Sequence, residues 1–118
     1  MEARCTERDW KLFRSRLPQW QQAYMEKLNK EYVALLTADA DADDKFWALE
    51  KRLREDRKKV GVCAEMSRSR MIWNLISLVN EGAITRADLD GFSEEVLEVL
   101  EYICFRQDPQ GEANNAGS

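Results

Sequence analysis

The sequence predicts an all-α fold: an irregular antiparallel bundle of four main helices plus a short connecting helical turn. Three observations lead there. Apolar residues recur at helical spacing, as in the ladder Trp20, Tyr24, Leu28, Tyr32 and Leu36. Capping residues stand ahead of the periodic stretches. Glycine (5) and proline (2) are scarce, which disfavours sandwiches, barrels and glycine-rich phosphate loops. At 118 residues, 44% hydrophobic and 34% charged, the chain is too apolar for disorder and too charged for a membrane protein. Its length suits one domain over residues 1–106, able to hide a core without a metal or disulfide staple.

The first helix is expected from about Thr6 to Arg16. Thr6 caps it with Asp9 three residues on, an acidic variant of the capping box. Trp10, Phe13 and Leu17 share one face. Pro18 then sits where a second helix would begin, because its missing N–H is not needed in a first turn. That helix runs to about Leu36, with Met25 and Leu35 beside the ladder and the tyrosines at the rim of the core.

The aspartate-rich segment 37–44 (TADADADD) breaks the pattern, since aspartate favours turns and caps over helix interiors. Asp43 or Asp44 is expected to cap a third helix reaching about Lys59. Its buried track is read as Phe46, Leu49, Leu53 and Val60, with Gly61 ending or bending it. A fourth helix follows from about Ala64 to Asn80, stopped by Gly82. Its apolar residues from Met71 to Val79 cover an arc of roughly 200°, wider than one face. Such a helix is central, or it carries an intermolecular contact such as a homodimer.

Thr85 and Asp88 open a short turn over Leu89. Ser93 caps a last segment to about Phe105, with the core track Phe92, Val96, Val99, Leu100 and Ile103. The tail 107–118 (QDPQGEANNAGS) lacks large apolar residues and is expected to be disordered.

Cysteines 5, 63 and 104 are odd in number and widely spaced, which points to reduced thiols in a cytoplasmic protein. Cys104 reads as a small packed hydrophobe. The charged N-terminus has no signal-peptide core, and the run Met71–Val79 is about half a membrane span. No histidine is present, so Ser-His and Cys-His nucleophiles, imidazole metal sites and histidine switches are excluded together. No catalytic residues and no cofactor or metal are expected, and the reading is of a non-enzymatic protein.

The net charge of −4 hides a segregation. Residues 45–70 hold nine basic and four acidic residues, whereas 71–118 hold two and nine. On the third helix Trp47, Lys51, Arg54 and Lys58 fall at i, i+4, i+7 and i+11, opposite the apolar track. An aromatic ring among cations suits nucleic-acid phosphates and bases, or the carboxylates of a protein partner. A solvated face explains the same stripe. Arg52, Arg57 and Lys59 flank it, and Arg68 and Arg70 would widen it if the next helix abuts. Glu94, Glu98 and Glu101 form an acidic stripe on the last helix, suited to a basic partner or to solvation alone. The basic helix of one copy meeting the acidic helix of another is a third reading.

Asp39, Asp41, Asp43 and Glu50 match positions 1, 3, 5 and 12 of a calcium-binding helix–loop–helix, with Asp44 where glycine is required. Ser67 and Ser69 lie among arginines and suit a phosphate site or an exposed turn.

The strings RDWKLFRSRLPQWQQAYMEKLNKEY, DKFWALEKRLREDRK and GAITRADLDGFSEEV are similar to a family of short, uncharacterised proteins of Gram-positive bacteria and their mobile elements. Members are sometimes labelled multidrug transporter, which these residues contradict. The resemblance implies a small cytosolic helical protein and carries no site residues. It frames the expected function: a protein-interaction module, an accessory or inhibitory factor of a mobile element acting by charge-complementary docking. A nucleic-acid-binding regulator is the alternative, and a calcium-responsive helix–loop–helix a further one.

Overall fold

The computed structural model describes residues 5–105. Four α-helices follow one another, with no strand among the described residues: α1 (Glu7–Thr37), α2 (Ala42–Asp56), α3 (Met71–Asn80) and α4 (Glu94–Leu100). A 3-10 turn, Arg68–Arg70, leads into α3. A second, Arg86–Leu89, lies between α3 and α4, and a π-helical turn, Glu101–Phe105, extends α4. The all-α bundle is as the sequence predicts. The expected disordered tail lies outside the described residues.

Helix α1 corrects the expected break. Thr6 and Asp9 form the anticipated capping box, but the helix runs unbroken through Pro18 for 31 residues. Phe13, Leu17, Trp20, Tyr24 and Leu28 are all buried along one continuous stripe. Each such side chain stabilises by about 1.5–3 kcal/mol, so together they outweigh the ~3 kcal/mol that an interior proline costs.

Other boundaries differ too, α2 ending at Asp56 rather than about Lys59. Asp41, not Asp43 or Asp44, is the N-cap of α2, and its side chain makes no capping bond. The fourth predicted helix starts at Met71 rather than Ala64. The Asn74 side chain donates to the Glu65 carbonyl at 3.0 Å, holding the preceding segment alongside α3 in place of a further turn.

The core joins the N-terminal half of α1 to α3, α4 and the turns between them. Phe13, Leu17 and Trp20 meet Met71, Leu75 and Leu78 of α3, Leu89 and Phe92, and Val96 and Leu100 of α4. The wide apolar arc of α3 is consumed within the chain, because α1 and α4 both lie against it. Of that arc only Trp73 is exposed. Gly82 terminates α3 in the left-handed region at φ +79°, with its N–H and that of Ala83 donating to Val79 and Leu78 carbonyls. Cys104 packs at the margin of the core, and burial pushes its thiol up, away from reactivity.

The C-terminal half of α1 runs on past this core and packs on α2 and the turn after it, making a two-helix arm on a molecule 51 × 38 × 23 Å across. Asp56 locks the pair. It is buried, accepts the Tyr32 hydroxyl at 2.7 Å, and lies 3.3 Å from both Arg52 and Lys59. Arg52 also bonds Glu31 at 2.7 Å. The turn after α2 is clamped to the core from both sides. Glu81 accepts the N–H groups of Val60 and Gly61 at 2.9 and 3.0 Å, and Gln21 donates to the Val60 carbonyl at 2.9 Å.

The arm overturns the expected burial of α2. Its predicted core track is left uncovered: Phe46 is 62% exposed, Leu53 is 45% exposed and Leu49 is half-buried. The faces that do meet α1 are Arg52 and Asp56, which close the hairpin by ion pairing. With no third layer over the arm among the described residues, amphipathic spacing alone does not produce burial.

Candidate interaction surface

Trp47, Lys51 and Arg54 lie along α2 on the side turned away from α1, at about 100° of helix rotation per residue. All are exposed, and Trp47 is 63% exposed. Its ring meets Phe46 edge-on, with centroids 4.9 Å apart and planes at 87°. The two rings form one aromatic patch on a projecting arm. Lys58 lies beyond the end of α2, in the turn, so helical register does not extend the stripe to it.

Arg54 is not a free cation. Its guanidinium bonds Glu50 twice, at 2.7 and 3.2 Å. The hydrogen bond from Arg54 holds the Glu50 carboxyl below its ordinary range. The flanking cations other than the exposed Arg57 are committed as well. Arg52 and Lys59 serve Asp56, Arg68 pairs with Glu7 and Arg70 approaches Glu65 at 4.0 Å. The patch expected to span two helices is therefore divided into local ion pairs, leaving Lys51 as the cation beside Trp47 on the helix.

Glu94, Glu98 and Glu101 are exposed on α4 and the turn after it. Glu101 pairs with Arg86 at 3.1 Å, and Arg86 also covers the Phe105 ring, 4.6 Å from its centroid. This acidic stripe belongs to the core-bearing half and the basic stripe to the arm, so the structure does not bring them together.

The calcium loop is not formed. α1 ends at Thr37 and α2 begins at Ala42, so Asp43 and Glu50 sit two helical turns apart, about 10 Å along the axis, instead of around one ion. Asp41, Asp43 and Asp44 have carboxylate oxygens within 4.8 Å of one another at the tip of the arm, all exposed. Ser67 and Ser69 hydroxyls lie 3.4 Å apart on the surface.

The sequence reading missed a groove on one side of the arm. Met25, Asn29 and Tyr32 of α1 face Leu53 of α2 and Arg57 just beyond it across about 180 Å³. The signal was present: Met25, Asn29, Tyr32 and Leu36 recur at i, i+4, i+7 and i+11, a second stripe beside the core-facing one.

Among the described residues no helix is long and apolar enough to cross a membrane. No family model, curated protein or solved structure matches the chain.

Proposed function

We propose that this protein is a non-enzymatic interaction module that docks the acidic surface of a partner protein through the aromatic and basic side of α2. The supporting observation is Trp47: an indole largely open to solvent, braced by Phe46 and neighboured by Lys51 and Arg54, on an arm outside the core. Exposed aromatics of this size mark contact sites, and tryptophan and arginine dominate interface hot spots. The resemblance to mobile-element proteins adds that the partner belongs to host machinery.

Affinity capture from a lysate of the source cells tests this reading, using the intact protein, Trp47→Ala and the pair Lys51→Glu/Arg54→Glu. These residues are exposed, so the variants stay folded. A partner bound by the intact protein and lost from both variants supports the reading. A partner retained by both removes it.

Nucleic-acid binding through the same residues is the second reading, favoured by an aromatic ring standing beside cations. Glu50 bonded to Arg54 and the aspartates at the end of the stripe break up its positive charge, which suits a protein surface with a few spaced carboxylates better than a continuous phosphate backbone. A mobility shift at low salt that disappears in Lys51→Glu/Arg54→Glu would exchange the two.

A further inference from the structure

The apolar side of the arm is a second surface, which meets the Trp47 side at Phe46. Phe46 and Leu53 are seven residues apart and lie on one flank of α2. Met25, Tyr32 and Leu36 line the matching flank of α1, and Leu36 is 44% exposed. The sequence spaces these residues at core periodicity, yet among the described residues nothing covers Phe46, Leu53 and Leu36, and Met25 and Tyr32 are only half-buried. The opposite side of the arm carries Lys27, Lys30, Ala34, Asp44, Ala48 and Glu55, and is polar. The arm is therefore half of a bundle, lacking the layer that would close it.

The charges at the edge of this face select the occupant. Asp43 stands at one end of α2 beside the aspartate tip, and Arg57 at the other, about 21 Å away at 1.5 Å per residue. Both are exposed. Glu50, midway between them, is already neutralised by Arg54 of its own helix. A partner of uniform charge would be repelled at one end of such a face. A second copy related by a two-fold axis at the level of Glu50 brings Asp43 of each chain to Arg57 of the other, and the two Glu50 carboxylates that meet near the axis are each held by Arg54 of their own helix. The same axis sets Phe46 against the partner's Leu53. A parallel arrangement would instead set aspartate on aspartate and arginine on arginine, so charge also fixes the direction.

We propose that two copies of this protein pack antiparallel through the Phe46–Leu53 side of the arm, closing a four-helix assembly whose ends are joined by reciprocal Asp43–Arg57 pairs. The assembly shares Phe46 with the docking reading, because that ring also braces Trp47; Arg57→Asp and its rescue by Asp43→Arg leave Trp47, Lys51 and Arg54 intact and so test the assembly separately.

Sedimentation equilibrium on the full chain tests it. At about 100 µM the expected mass is twice the chain's 13.8 kDa, because an interface of this class dissociates in the micromolar range or below. Phe46→Ser/Leu53→Ser is expected to sediment as a monomer with unchanged helical circular dichroism, since both residues are exposed in the single chain. Arg57→Asp alone is expected to weaken association about tenfold at low salt. Adding Asp43→Arg to it restores the opposite charges and the association, which a merely sticky apolar patch would not do. A wild-type chain that stays monomeric overturns the proposal and leaves the face to a different protein. So does a dimer indifferent to Phe46 and Leu53, or a charge exchange that fails to rescue.

Discussion

Asp9 and Ser93 are 84 residues apart in sequence and doubly bonded in space. The Ser93 N–H donates to one Asp9 oxygen at 2.8 Å and the Ser93 hydroxyl to the other at 2.7 Å. Asp9 is at the same time the third residue of α1, where it accepts the Thr6 N–H at 3.0 Å. Ser93 is the N-cap of α4, accepting the Val96 N–H at 3.4 Å. One buried carboxylate thus closes the start of two helices and holds them in register, close to where Phe13 and Phe92 enter the core.

Removing that carboxylate leaves three donors without an acceptor. Asp9→Ala is expected to lower stability by about 3 kcal/mol in urea unfolding. Acid titration gives a second readout. Burial pushes the Asp9 carboxyl up, but the hydrogen bonds from Thr6 and Ser93 outweigh it and hold it below the ordinary value of 3.8. A lowered carboxyl stabilises the fold above the unfolded-state value, and that contribution fades as pH falls through the folded one. Wild type is therefore expected to lose stability below about pH 4 more steeply than Asp9→Asn. Parallel acid curves would remove the role assigned to this carboxylate.

The capping pairs Thr6–Asp9 and Thr85–Asp88 and the Ser93 cap were legible because they are local: donor and acceptor lie within one turn of chain. The tracks of α1, α3 and α4 were mostly legible for the same reason, but Leu36 and Ile103, read as core, are 44% and 39% exposed, and Tyr24, read as a rim residue, is buried. What sequence spacing does not reveal is whether a second surface exists to cover an amphipathic face. Phe46, Leu49 and Leu53 have the same periodicity as Phe13, Leu17 and Trp20, but only the latter meet α3 and α4. Pro18 misled in the opposite direction, since local preference placed a boundary where long-range packing keeps a helix. At the candidate surface, Trp47, Lys51 and Arg54 were placed correctly on one exposed side. The pairing of Arg54 with Glu50 and the closing of the arm by Asp56 depend on tertiary geometry.

Tyr32 and Asp56 give a measurable signature of the closed arm. Desolvation and the hydrogen bond to Asp56 push the Tyr32 phenol up to about 12 from 10.0. A raised phenol stabilises the fold below the unfolded-state value and withdraws that contribution as pH climbs through the folded one, here between about 10 and 12. In an ultraviolet titration Tyr32→Phe is expected to lose the tyrosine that ionises near 12. It is also expected to cost about 1 kcal/mol at neutral pH, since Asp56 keeps Arg52 and Lys59. Loss of a tyrosine that ionises earlier would show that the arm opens in solution.

Gly61 is required by distance, not by backbone angle. A Cβ built on it would stand 2.3 Å from Cδ2 of Tyr24, whose ring is buried against this turn. Gly61→Ala must shift that ring or the turn clamped by Glu81. A destabilisation of about 1–3 kcal/mol is expected in thermal unfolding. Tyr24→Ala costs stability alone, yet in the double variant the two losses are expected to fall short of their sum, because the clash has been removed. Strict additivity would mean that the two residues are not in contact.

Pro18 tests how firmly the two halves of α1 are joined. It has no N–H to offer the Arg14 carbonyl, and its ring crowds that carbonyl. Arg14 and Pro18 are both exposed, so water can serve the orphaned oxygen and the buried stripe on the other face holds the helix together. Alanine at this position restores the missing hydrogen bond and removes the crowding without touching the core. Pro18→Ala is therefore expected to raise stability by about 1–3 kcal/mol, with helical content unchanged or slightly higher by circular dichroism. A destabilised variant would mean that the proline sets the angle at which the arm leaves the core, and that Trp20, Tyr24 and Leu28 reach their pockets only from that angle.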